Sequence, residues 1–531
     1  MNPADGSRIL PPRSYPADLP ASASPYPFFI AVLFGLGIGS LIVLDPFITN
    51  ALHLQIFHRY ILRRPPLPAL GGVRGFVQYE IPYLFSLFVA LAVIGVGFLV
   101  AQREKLWEQR FQIALTFLVI GYQNKALLKA GPLDLSDVSV MVLLAVWLPN
   151  VLMHERESVV LSPIFFLVLA LTGTMLLSCV NGRLLSLRIL AMQQTKTLMA
   201  FVLLGLLLQT WPLFRHFLRS LVVVTALSAA IGILQEILFM ATGMLFVGSV
   251  ESRTIRLLLE PTSFGDMLRV PAFFGVPQDF ANTLCVITTI TFFLILAPEV
   301  RLFQRRRTLY VCLALMLPAL ALTFSKAAMA GFLVGSIASL YLRWPARSLQ
   351  ISGALTLAAL LTILAISIQS QIRGGTVGEL NASLNYGEAK LRLELAQLSL
   401  VNSLKRHPFI GVGVGQGKKY TSHVLGWPAH NAFILALAEV GLIGFLVYCG
   451  IFLLSAFRLI SVVAGEPDAF ARTIGKILLT GFLALFVNIQ NDPFFHLIFV
   501  WIFLAVVDGF VVSRLASARR GRPGTDASLA T

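Results

Sequence analysis

The sequence predicts an all-α polytopic membrane protein with about 12–14 transmembrane helices and a large, partly helical loop on the outside. Three observations carry that prediction. Only 12% of the 531 residues are charged, about half the share of a soluble domain, and that leaves too little polar surface to cover a globule. Apolar runs such as 81–101 (IPYLFSLFVALAVIGVGFLVA) and 218–246 reach the roughly 20 residues that cross a bilayer. The polar residues gather in short links and in two long loops, 247–278 and 370–429.

Taken in order, residues 1–26 are polar and Pro-rich, without a signal-peptide pattern, and read as a disordered tail. A single membrane domain is expected over 27–513. Its spans fall at 27–47, 81–101, 111–128, 136–153, 161–179, 196–214, 219–246, 279–298, 308–324, 327–343, 350–369, 430–456, 474–490 and 494–513. The third is the weakest, because Lys125 interrupts it. The links holding Arg301, Arg305, Arg306 and Arg307, then Arg343 and Arg347, then Arg458 and Arg472 are short and basic. The positive-inside rule places them in the cytoplasm, together with a basic, disordered tail at 514–531. Both long loops then face outside. Segment 52–79, with Arg59, Arg63, Arg64 and Arg74, disagrees with this alternation. Either an early span is miscounted or residues 52–64 form an interfacial amphipathic helix.

The net charge of +16 is absorbed by these membrane-flanking arginines and by the loops, and no nucleic-acid motif accompanies it. Cys179, Cys285, Cys312 and Cys449 lie in or beside apolar segments without CxxC pairing, so neither disulfide nor metal site is expected. In the second loop, residues 387–406 carry leucines near helical spacing and predict an amphipathic helix that His407-Pro408 ends. GVGVGQG (411–417) follows. It lacks the spacing of a phosphate-binding Walker loop and reads as a flexible turn lining the site, so no cofactor is expected.

Polar groups at membrane depth need a partner or a purpose. His430 and Asn431 open the span after the long loop, and Glu439 lies about 13 Å deeper at ~1.5 Å per residue. Eight helical steps would leave Asn431 and Glu439 ~80° apart on a shared face. Histidine is suited to accept a proton near neutral pH. A helix cap at the interface explains the same residues, and composition leaves both readings open.

The tract HPFIGVGVG (407–415), then His430-Asn431, then EVGLIG (439–444) resembles the signature of the O-antigen ligase and O-antigen polymerase superfamily. The likeness is close over 265–445. RVPAFFGVPQDFAN (269–282) resembles a further stretch of that family, with Gln278 where Asn is usual, and Arg392 matches an arginine of the large loop. Ser325-Lys326 stands where the family often has Ser-Arg. The resemblance implies a glycosyltransferase of the bacterial inner membrane, its site facing the periplasm, and the sequence has no Asp-rich or carboxylate-pair motif of a metal-dependent glycosyltransferase, so metal-independent chemistry is expected. It would take an undecaprenyl-diphosphate-linked glycan as donor and pass it to an acceptor hydroxyl in surface polysaccharide, O-antigen or exopolysaccharide. His430 would be catalytic; Arg269, Arg392, Lys326, Asn431 and Glu439 would bind substrate. Polymerase and ligase differ only in the acceptor, which the sequence does not identify. A multi-span transporter or flippase of lipid-linked glycan is the alternative.

Overall fold

The computed structural model describes residues 109–124, 129–130, 133–153, 160–190, 195–242, 259–262, 265–274, 276–345, 386–417, 429–490 and 497–520. The spans expected at 27–47, 81–101 and 350–369, and segments 1–26 and 52–79, lie outside them. The described residues form helices α1 (Arg110–Gln123), α2 (Leu135–Met153), α3 (Pro163–Ile189), α4 (Thr195–Leu207), α5 (Trp211–Thr242), α6 (Pro277–Leu296), α7 (Arg307–Leu322), α8 (Lys326–Arg343), α9 (Tyr386–Arg406), α10 (Ala432–Gly465), α11 (Ala469–Ile489) and α12 (Ile498–Arg520). Among them the only strands form two antiparallel hairpins. One pairs β1 (Lys129–Ala130) with β2 (Leu133–Asp134); the other pairs β3 (Leu259–Thr262) with β4 (Gly265–Leu268). The second hairpin sits in the first long loop, where no strand was expected.

Six of these helices, α3, α5, α6, α10, α11 and α12, are long and apolar enough to cross a membrane. The protein is thus an all-α polytopic membrane protein. Helix starts follow local chemistry. Ser162 accepts from Phe165 N ahead of Pro163, and Asp468 accepts from Phe470 N. Asp134 and Asp137 exchange backbone bonds at the head of α2 as a capping box (3.1 and 2.7 Å), and Lys196 of α4 bridges both carboxylates at 3.0 and 3.1 Å. Burial pushes Asp134 upward, but the Lys196 ammonium and the hydrogen bonds outweigh it and hold its carboxyl below the usual range.

Two expected boundaries shift. The span placed at 196–214 ends at Leu207, and the next helix starts already at Trp211. The C-terminal tail expected to be disordered from 514 is helical through Arg520, and Arg514 pairs with Asp468 at 3.6 Å. Helices α6 and α12 are buried along most of their length, whereas α3 and α10 keep open apolar stripes, among them Phe166, Leu177, Leu446 and Phe457. Such stripes suit lipid contact.

Candidate functional site

Side-chain contacts sort the loops onto two faces. On one, Arg215 donates to Arg301 O (2.8 Å), Arg343 pairs with Glu299 (2.7 Å), and Asp508 takes Arg458 (2.8 Å) and Ser162 (2.6 Å). These are the basic links of the sequence. Helix α8 runs antiparallel to α11: Lys476 reaches Leu342 O at one end, and Gly331 abuts Asn488 at the other. That second end is the opposite face. It gathers Arg269, Lys326, His430, Asn431 and the loop after α9.

On this face Arg269 Nε donates to Thr323 O at 3.4 Å, and Val270 N to Leu322 O at 3.1 Å. The segment carrying Arg269 is thereby stitched to the turn that opens α8, where Ser325 caps the helix and Lys326 is its exposed first residue. Two non-glycine residues here hold positive φ, Ala272 at +45° and Phe324 at +53°. Such conformations persist only where the surroundings over-determine them. The turn therefore holds two cationic side chains on a braced backbone.

The glycine tract is not a loose turn. Within α10, Gly441 has φ +70° and ψ −173°, so the helix breaks between a short segment, 432–440, and a long one, 442–465. In an unbroken helix Leu442 N and Ile443 N would bond Ala438 O and Glu439 O. Here residues 408–413 take those places. Val412 N bonds Ala438 O (3.1 Å), Gly413 N bonds Glu439 O (3.0 Å), Leu442 N bonds Pro408 O (2.9 Å) and Ile443 N bonds Phe409 O (3.2 Å). A Cβ on Gly411 or Gly441 would overlap the opposing backbone. HPFIGVGVG and EVGLIG are the two halves of one backbone clasp.

The clasp fixes the inner end of segment 432–440. Its outer end is fixed by Asn431, which lies outside the helix at φ −157°. Asn431 Oδ1 caps Phe433 N (2.9 Å) and Ile434 N (3.1 Å), and its Nδ2 reaches the O (3.0 Å) and Oε1 (3.1 Å) of Gln490, the C-cap of α11. The shared helical face expected for Asn431 and Glu439 does not apply, because Asn431 is not helical. Glu439 is 2% exposed, and its Oε1 accepts from Gly417 N at 3.2 Å. His430, part-exposed, precedes this doubly held strut. Arg392 lies in α9, which matches the expected amphipathic helix and packs on α10. On α9, Leu395, Ser399 and Ser403 are buried, while Glu394, Lys405 and Arg406 are exposed.

Residues 311–449 match the family model described as O-antigen ligase. Over that region the chain is similar to the O-antigen ligase family. No curated protein matches the chain. The O-antigen ligase match runs from α7 through the break in α10. It holds Lys326, Arg392, His430, Asn431 and Glu439 and leaves the 269–282 stretch outside. Sequence reasoning missed Gly441 and Gln490. The alternating glycines at 411, 413 and 415, set against one at 441, were the available signal for close backbone approach.

Proposed function

We propose that the protein transfers a glycan from a polyprenyl-diphosphate-linked donor to an acceptor hydroxyl at the face holding Arg269, Lys326 and His430. The observation that carries this reading is the mounting of His430 on a short helix segment held at both ends, on the same face as the braced Arg269–Lys326 turn. A general base requires a fixed direction, and diphosphate requires cations placed to meet it. Arg269 and Arg392 offer forked donors that suit phosphate oxygens, and Lys326 adds a point charge. The acceptor hydroxyl attacks the anomeric carbon, a new C–O bond forms, and the bond from that carbon to the diphosphate oxygen breaks. The hydroxyl proton passes to the His430 imidazole, and lipid diphosphate leaves with the bonding pair. The donor is already activated through its diphosphate, so the reading needs no nucleotide sugar; it is metal-independent because the sequence carries no Asp-rich or carboxylate-pair motif of a metal-dependent glycosyltransferase.

The positive-inside rule puts the basic face in the cytoplasm and the site in the periplasm, as expected for a bacterial inner-membrane protein. Gathering the polar groups at one face, rather than at mid-membrane, favours transfer over transport. Lipid-linked intermediates in a deletion strain test the class and resolve the acceptor. Single repeat units accumulating would identify a polymerase, which is the form we favour, and full-length chains on lipid would identify a ligase. Unchanged surface glycan and unchanged lipid-linked pools would overturn the proposal.

A further inference from the structure

We propose that Asn181 and Gly182, near the end of α3, are positioning residues for His430 that act through the glycine loop; this rests on the transferase reading above. The loop of residues 408–417 has two sides. Toward α10 it gives the N–H groups of Val412 and Gly413 and the carbonyls of Pro408 and Phe409. Toward α3 it gives the carbonyl of Gly411, which takes the Asn181 amide Nδ2–H at 2.8 Å across 230 residues of sequence. One residue on, the two backbones touch. A Cβ on Gly413 would lie 2.5 Å from Gly182 Cα, and a Cβ on Gly182 would lie 3.0 Å from Gly413 Cα. Gly415 similarly abuts Ile189. The end of α3 is therefore a backstop, and the loop is pressed between it and the break in α10.

The mechanical path is short. The loop holds the carbonyls of Ala438 and Glu439, those residues end segment 432–440, and His430 lies just beyond the other end of that segment. Without the Asn181 donor the loop keeps its bonds to α10 and its contact with Gly182 but is no longer tied to α3, so the loop and segment shift together. Neither Asn181 nor Gly182 falls within 311–449. An amide suits this place. It donates a proton to a carbonyl while remaining neutral, which the isosteric aspartate carboxylate cannot do.

The test uses the full-length protein reconstituted in nanodiscs, with a polyprenyl-diphosphate-linked oligosaccharide as donor. Wild type is compared with Asn181→Asp, Asn181→Leu and His430→Ala. Displacing a catalytic group by about 1 Å costs up to about a hundred-fold in rate. Both Asn181 variants should accordingly lose roughly ten- to a hundred-fold in kcat, with the donor KM little changed. Hydrogen exchange across 407–417 should quicken in both. Should Asn181→Asp fail to insert, Asn181→Leu carries the same test without introducing a charge, because leucine fills the space and donates nothing. A residue that only fills space predicts instead that the isosteric Asn181→Asp keeps wild-type kcat and wild-type exchange. That result, with His430→Ala inactive, overturns the proposal alone. Full turnover by His430→Ala overturns the transferase reading, and the proposal with it.

Discussion

Replacing Gly441 by alanine sets two structures of α10 against each other. If the clasp persists, alanine must hold φ +70° and ψ −173°, a region essentially reserved for glycine, at about 1–3 kcal/mol. Its Cβ must also overlap Gly411 N and the Phe409 carbonyl group, backbone atoms that cannot rotate away. If α10 heals, the four bonds to the loop are lost and two helical rungs, Leu442 N to Ala438 O and Ile443 N to Glu439 O, are regained. At about 0.5–1.5 kcal/mol each, the net loss of two bonds costs about 1–3 kcal/mol. Alanine returns about 1 kcal/mol of helix propensity. Healing is the cheaper course, and its cost is small against a total stability of about 5–15 kcal/mol. Gly441→Ala should therefore insert at near-normal abundance while expelling residues 408–413 and swinging segment 432–440. Hydrogen exchange over 407–417 should rise, and glycan transfer should fall by at least ten-fold. Normal protection together with normal transfer would refute the clasp as the mount of His430.

Four further outcomes follow from the same geometry. Asn431→Ala should cost about 1 kcal/mol as a lost cap, seen as a lower melting temperature, and should reduce transfer less than His430→Ala, because an amide takes no proton at neutral pH. Arg392→Lys and Arg269→Lys keep their charge but lose the fork, so the donor KM should rise in both; unchanged KM would point to simple steering. Arg458→Met leaves the Asp508 charge buried with only the Ser162 hydroxyl, at about 3–5 kcal/mol, so folded yield should drop, and adding Asp508→Leu should restore part of it. Cysteines at exposed positions 405 and 305 should label from opposite sides of the membrane with an impermeant reagent, position 405 in intact cells and position 305 only after lysis.

Hydropathy captured most helices because their apolar runs are long and end at Pro, Ser or Asp caps. The amphipathic helix was legible for a related reason: leucines at helical spacing ran up to His407-Pro408, and α9 spans 386–406. Helix α3 outran its apolar window of 161–179 because its last turns, with Asn181, Gly182 and Arg183, stay helical to Ile189 although they are polar. The break in α10 was hidden for the opposite reason. AEVGLIGF is apolar enough to read as continuous helix, and nothing local shows that a loop some 30 residues earlier supplies the missing rungs. His430, Asn431 and Glu439 were singled out as candidates from residue type and family likeness. Their division of labour was not, since the cap at Asn431, its tie to Gln490 and the bond from Gly417 to Glu439 are all contacts between distant segments.

Purified protein in nanodiscs decides whether His430 takes the acceptor proton during glycan transfer. Polyprenyl diphosphate released and glycosidic bonds formed are counted together, for wild type and for His430→Ala, with donor affinity measured alongside. Wild type should yield equal amounts of both products. His430→Ala should bind donor normally and turn over more slowly by about a hundred- to ten-thousand-fold, while His407→Ala stays active. Wild-type turnover by His430→Ala at equal protein would contradict that role.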